Sequence, residues 1–157
     1  MIVGKGSATS TLTTEDIQHL LASADDELLV GAGLDPTNKR VLVIIPDGTR
    51  TAPIPLVFRL LYEQFWRRVA QLDYLIALGT HPHMSQEAIE HLVGVTAAQR
   101  AERYPNVRIF NHDWADPQML QTIEVIPRSE ASELTGGLLA GDVPVTLNCL
   151  IFDYDLL

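Results

Sequence analysis

One cysteine, eleven basic side chains and no apolar run long enough to cross a bilayer are what this 157-residue chain is short of. A lone Cys149 cannot form an intrachain disulfide. Within the apolar stretch Val145 to Phe152 it reads as a buried structural thiol rather than a nucleophile, and such cysteine usage fits a cytoplasmic protein. The eleven Lys and Arg are scattered, no lysine follows Lys39, and the net charge is −9. Nucleic-acid and anionic-membrane surfaces both need clustered cations, so neither partner is expected. Met1 to Lys5 lacks the apolar core of a signal peptide, and no stretch approaches the about 20 apolar residues of a membrane span. There is no Walker sequence or G-x-G-x-x-G, hence no standard nucleotide loop. There is also no glycine-flanked serine elbow, which argues against an α/β hydrolase.

What is present is enough apolar residue, 46% against 20% charged, to build a single core. Thr14-Glu15-Asp16-Ile17 opens a helical pattern with a threonine cap, and Ile17, Leu20, Leu21 and Ala24 recur at helical spacing. The start, Met1 to Ser10, is small and polar and reads as extended or poorly ordered. Arg40 to Ile45 predicts a first strand. A helix follows from Pro53 and Pro55 to about Ala70, with Leu56, Leu60, Leu61, Gln64, Phe65 and Val69 as its buried stripe and Trp66 as a packing residue. Asp73 to Leu78 predicts a second strand. Ser85 caps a helix to about Val93, and Thr96 caps a short one through Arg103. Val107 to Phe110 predicts a third strand; Gln121 to Ile126 and Val145 to Phe152 predict an antiparallel pair. This order predicts a Rossmann-like α/β sheet, mainly parallel with helices on both faces and a mixed C-terminal part.

Two apolar runs end in compact polar clusters. Val41 to Ile45 runs into Pro46-Asp47-Gly48-Thr49-Arg50-Thr51, and Tyr74 to Leu78 runs into Gly79-Thr80-His81-Pro82-His83. A continuous apolar run is the signature of a buried parallel strand, and ligands of open α/β sheets bind at strand carboxyl ends. In the first cluster the glycine permits a tight turn, Thr49 or Thr51 can cap the next helix, and Arg50 can hold an anion bidentately. The competing reading is that Asp47 and Arg50 simply pair across a structural turn. In the second cluster His81 carries the side chain best suited to moving protons near neutral pH, against the alternative of a loop histidine satisfied by a carbonyl. A His81–His83 pair without a third ligand is a weak metal signal. Asn111-His112-Asp113-Trp114 closes the third strand and lines the same rim, although Asn and Asp are ordinary turn formers. His19 and His91 lie on helical patterns as packing or surface residues, and Gly136-Gly137 is a turn element.

Ile45-Pro46-Asp47-Gly48-Thr49-Arg50-Thr51-Ala52-Pro53 followed by Ala77-Leu78-Gly79-Thr80-His81-Pro82-His83-Met84 resembles the N-terminal domain of nickel-dependent lactate racemase (LarA-like) proteins. Asn111 to Trp114 and the stretch Asp142 to Asn148 are similar too, so the resemblance covers about Lys39 to Leu157. It implies racemisation or epimerisation of a 2-hydroxy acid with a nickel pincer cofactor, a pyridinium-3,5-bisthiocarboxylic acid mononucleotide. His81 matches the first of the family's two acid–base histidines, and Arg50 the arginine that holds the substrate carboxylate. Asp47 and Thr49 fall where the family contacts the cofactor. Thr51-Ala52-Pro53 stands where the lactate enzyme has proline directly after the arginine, and Pro82 replaces an arginine, which points to a larger hydroxy acid or sugar acid. The second histidine, the lysine tether and the nickel-binding histidine have no counterpart in this chain. The apolar end Leu156-Leu157 reads as entry into another strand. The expectation is therefore an N-terminal fragment of a two-domain enzyme, inactive without its C-terminal domain, in which Arg50 and His81 share one cleft. Two other classes stand beside it: a non-catalytic module binding a phosphorylated or carboxylated small molecule, and a hydrolase or lyase using His81 with Asp47 or Asp113.

Overall fold

The run Val41 to Ile45 forms the first strand, β1 (Arg40–Pro46), because β-branched and leucine side chains suit a strand; Val41, Leu42 and Ile45 are buried and Ile44 is half exposed. The computed structural model describes residues 4–24 and 33–157. Preceding β1 is α1 (Thr14–Ala24). Its entry is closed by Thr13, whose hydroxyl accepts from the Asp16 N–H at 3.1 Å while Asp16 accepts from the Thr13 N–H at 3.1 Å. Of the polar start, Ser7 and Ser10 form a hydrogen-bonded turn, and Lys5 pairs with Asp16 at 2.5 Å.

Two β-α-β crossovers follow. β1 leads through α2 (Ile54–Phe65) to β2 (Gln71–Ala77), and β2 leads through α3 (Gln86–Val93) and α4 (Ala97–Arg103) to β3 (Ile109–Asn111). All three strands pair in parallel, in the order β1-β2-β3, with Pro46 opposite Ala77 and Ile76 opposite Asn111. Val41, Ile45, Leu72, Tyr74 and Ile76 face α2 and α3 and make the main core with Ile54, Phe58, Phe65, Ile89, Leu92 and Val93. Alternate residues point the other way, burying Leu42, Asp73 and Leu75. At the free edge of β1, Leu156 forms a parallel bridge to Val41, and Leu42 N–H donates to the Leu156 carbonyl at 3.0 Å. Strand progression thus reverses at β1: one side leads to β2 and β3, the other receives the last residues. A separate antiparallel pair joins β4 (Leu120–Ile126) to β5 (Val143–Asn148), with α5 (Arg128–Leu134) between them. The mainly parallel α/β sheet with a mixed C-terminal part is the architecture the sequence predicts.

Several local expectations need correction. The second helix stops at Phe65 rather than Ala70, because the Arg68 and Val69 N–H groups both turn back on the Phe65 carbonyl and the Ala70 N–H goes to Lys39. Trp66 therefore lies outside the core, 46% exposed, stacked on Tyr62 with Arg67 over its ring. That helix is capped by neither threonine: Pro53 is its N-cap, and the Leu56 and Val57 N–H groups bond the Pro53 carbonyl. The last strand is Val143–Asn148 and not Val145 to Phe152, since Cys149–Asp153 winds into a 3-10 helix whose N-cap is Asn148. Cys149 is half-buried, its thiol 3.6 Å from the Gln118 carbonyl. α5 has no counterpart in the expectation: it is short, and its one buried residue is Ala131. Among the described residues no helix is long and apolar enough to cross a membrane.

A buried carboxylate fixes the N-terminal edge of the sheet. Asp73 is fully buried and accepts from the Arg108 N–H, from the Arg108 guanidinium at 2.6 and 2.9 Å, from the Tyr154 hydroxyl at 2.5 Å and from Gln71. Burial pushes its carboxyl up, but the bonds from Arg108, Tyr154 and Gln71 outweigh that and hold it below the usual range. Burial and the neighbouring Asp73 push the Tyr154 phenol up, so it stays a donor. At the opposite side Gly94 ends α3 in the left-handed region, φ 71°, and a Cβ there would stand 2.7 Å from the Pro55 Cβ. Gly94→Ala is expected to cost at least about 1–2 kcal/mol from the left-handed backbone alone, with the Pro55 contact adding to it. A urea midpoint unchanged from wild type would show that the α2–α3 approach is looser than described.

Candidate active site

Parallel pairing puts the ends of β1, β2 and β3 on one edge, and each end delivers a polar loop. Asp47 follows β1 directly and is 7% exposed. Its Oδ1 accepts from the Thr49 N–H at 3.0 Å and from the Thr49 hydroxyl at 2.5 Å, the local Asx-type turn that aspartate favours. Its Oδ2 faces the Nδ1 of His81 at 2.5 Å. These contacts, with the Thr49 hydroxyl foremost and the His81 ring second, hold the Asp47 carboxyl at about 2. An ionised carboxylate only accepts hydrogen bonds, so His81 Nδ1 carries the proton and Nε2 is left as the imidazole's open nitrogen. The imidazole is about half exposed.

His81 is placed by its own loop. The His81 N–H closes a turn onto the Leu78 carbonyl at 3.1 Å, and Gly79 takes φ 60°, a conformation that suits glycine. Asp47, Gly48, Thr49, Leu78, His81, Pro82 and Met84 line an open cleft of about 230 Å³. A larger hollow of about 610 Å³ lies between α3 and α4, lined by Ser85, Glu90, His91 and Gln99, away from the strand ends. The smaller cleft is the better candidate because it holds the paired acid and base at the sheet's carboxyl edge.

Of the residues singled out from sequence, the fold brings Asp47, Thr49 and His81 into direct contact. Arg50 follows Thr49, its N–H bonded to the Asp47 carbonyl at 3.3 Å; its side chain is exposed, outside the cleft lining, and makes no ion pair among the described residues. The pairing of Asp47 with Arg50 is thus not formed; the aspartate's partner is the histidine. His83 pairs instead with Asp113, Nε2 to Oδ2 at 3.2 Å. No group of three or more His, Cys, Asp or Glu is arranged to hold a metal among the described residues. His19 and His91 are exposed on their helices.

Two asparagines that the sequence placed in rim or motif stretches without a role, Asn111 and Asn148, add to the site. Asn111, the last residue of β3, accepts from the Met84 N–H and donates to the Met84 carbonyl, both at 3.1 Å. Asn148, the last residue of β5, accepts from the Leu150 N–H through Oδ1 at 2.9 Å. Its Nδ2 therefore points to His112 Nδ1 at 2.8 Å and donates to it, which fixes the Nε2–H tautomer of His112. A polar amide closing a strand was the available signal, but it is also an ordinary turn signal, and only the partner distinguishes the two.

Comparison with protein-family models matches residues 9–154 to the lactate racemase N-terminal domain. Among solved structures, a crystal structure of a Thermotoga maritima protein is similar, at 30% identity and a TM-score of 0.73. That alignment covers 92% of this chain and 32% of the Thermotoga chain, so the present chain spans about a third of that relative's length. No curated protein matches.

A carboxyl whose pKa falls on folding stabilises the native state fully above its unfolded value, about 3.9. That contribution is lost as pH drops through the folded value, about 2 for Asp47. Asp47→Asn should therefore remove part of the stability loss that wild type suffers between about pH 4 and pH 2. Parallel denaturation curves across this window check it; identical pH profiles for the two proteins would mean that the Asp47 contacts do not form.

Proposed function

Because the chain belongs to the lactate racemase N-terminal domain family, we propose that it forms the proton-transfer and carboxylate-binding half of a 2-hydroxy-acid racemase or epimerase. The observation that carries this reading is the 2.5 Å pair between Asp47 and His81 in an open cleft at the strand ends. His81 Nε2 takes the proton of the substrate hydroxyl, and the ionised Asp47 stabilises the imidazolium that results. Run in reverse, the same nitrogen gives the proton back, so His81 is base and acid for one enantiomer, and the second acid–base histidine that the family implies serves the other. Arg50, exposed beside the cleft and without an ion pair among the described residues, holds the substrate carboxylate.

The family implies a nickel pincer mononucleotide, and the fit of this chain to it divides in two. A phosphate or carboxylate can be met by the Arg50 guanidinium. A nickel donor set is not assembled among the described residues, so no residue here is assigned to the metal. When bound, the cofactor would supply hydride acceptance at the substrate's α-carbon. Asp47 and Thr49 act beside it chiefly by holding His81: both donors of Thr49 are already spent on Asp47, leaving its hydroxyl oxygen only as an acceptor. The tether, the nickel ligand and the second acid–base histidine belong, on this reading, to a C-terminal part of a longer protein, and its setting is cytoplasmic.

The test uses the full-length protein with a panel of chiral 2-hydroxy acids and sugar acids, with metal and mass analysis of the purified enzyme. His81→Ala should abolish conversion in at least one direction; unchanged turnover in both would remove His81 from the chemistry. Arg50→Ala should weaken substrate binding by about 1.5–3 kcal/mol, the worth of a hydrogen bond to a charged group. A substrate affinity indifferent to that change would leave the carboxylate clamp without a residue. Binding of phosphorylated or carboxylated ligands without any racemisation would favour a non-catalytic module.

A further inference from the structure

His81 is about half exposed, and Asp47 is its one side-chain partner among the described residues. Its aim therefore depends on the backbone that carries it. That backbone leaves β2 through the turn from Leu78 to His81 and is next held at Met84, immediately before Ser85 caps α3. The hold at Met84 comes from another strand. The Asn111 side chain meets both Met84 backbone groups at once, accepting from the N–H and donating to the carbonyl, each at 3.1 Å. Asn111 is itself fixed, since β3 pairs it with Ile76 and the following His112 N–H bonds the Ile76 carbonyl at 3.1 Å.

We propose that Asn111 is a positioning residue: its two-point grip on Met84 clamps the loop from Gly79 to His83 against β3 and so sets the Asp47–His81 geometry. The inference rests on the reading of His81 as the proton acceptor and names the residue that keeps it in place. A side-chain amide is the one uncharged group of this size that presents a donor and an acceptor side by side, matching a backbone N–H and C=O. Half-buried at the end of a three-residue strand, Asn111 has no role in the main apolar core. Without the clamp, the Met84 backbone loses both partners, and between the His81 turn and α3 the loop keeps the Met84 side-chain packing and the exposed His83–Asp113 contact, the latter of the kind that contributes little to stability.

Imidazole nitrogen spectra of the full-length protein at neutral pH test this directly. The geometry gives the rim histidines opposite tautomers: His81 protonated at Nδ1 toward Asp47, His112 at Nε2 because Asn148 donates to its Nδ1. Asn111→Ala should abolish the Nδ1–H signature of His81 while His112 keeps its own. Asn111→Asp keeps the shape and the bond from the Met84 N–H but sets a carboxylate oxygen against the Met84 carbonyl; it should weaken the same signature and serves if the alanine variant does not fold. In the active enzyme either variant should lower kcat at least about tenfold with KM within about threefold, as expected for a misaimed base. A wild-type signature that survives unchanged in whichever variant folds overturns the clamp alone. A wild-type protein lacking the His81 signature overturns the Asp47–His81 pairing, and the clamp with it.

Discussion

Parallel pairing of β1, β2 and β3 is the constraint on which the rest depends. It makes all three strands finish at one edge, in register from Pro46 to Ala77 and from Ile76 to Asn111. Loops that are 34 residues apart in sequence, at Asp47 and His81, are thereby brought within hydrogen-bond distance. The crossover helices α2 and α3 make that register rigid by covering one face with Phe58, Phe65, Ile89 and Val93. At the β1 edge the return of Leu156 reverses the strand progression, so Asp47 sits where such sheets place their ligands.

Two buried carboxylates show how position divides structural from chemical roles. Asp73 sits low on β2, filled by five donors from Gln71, Arg108 and Tyr154, with no group left open to solvent chemistry. Asp47 is almost as buried but spends one oxygen on its own turn and the other on a half-exposed imidazole. Both are held ionised. The first ties the C-terminal segment and β3 to the sheet; the second hands its charge to a residue that faces the cleft. Around it, every rim histidine has a dedicated partner: Asp47 for His81, Asp113 for His83, Asn148 for His112.

Much of this was legible in local pattern. The strands β1 and β2, the capped helices α3 and α4 and the antiparallel tail follow from apolar runs, capping residues and turn residues that act over a few positions. Where the expectation failed, one specific hydrogen bond decided, long-range in the first case and local in the second. The helix from Ile54 has an apolar pattern that continues to Val69, but the Ala70 N–H is claimed by Lys39 and the chain must turn to begin β2. The apolar stretch after Val145 looks like strand, but the Asn148 side chain caps a 3-10 turn at Leu150.

By itself the sequence determined which residues could do chemistry: an aspartate, a threonine, an arginine and a histidine, each just after a buried strand, in an order that resembles one family. Residue type and local spacing carry that much because strand burial and turn formation are short-range. Only the tertiary structure decided who pairs with whom. Asp47 takes His81 and not Arg50, Arg50 stays exposed at the surface, and two strand-end asparagines orient the loop and the neighbouring imidazole. Hydrogen bonds between loops are set by the register of the strands beneath them, and register is a property of the assembled sheet.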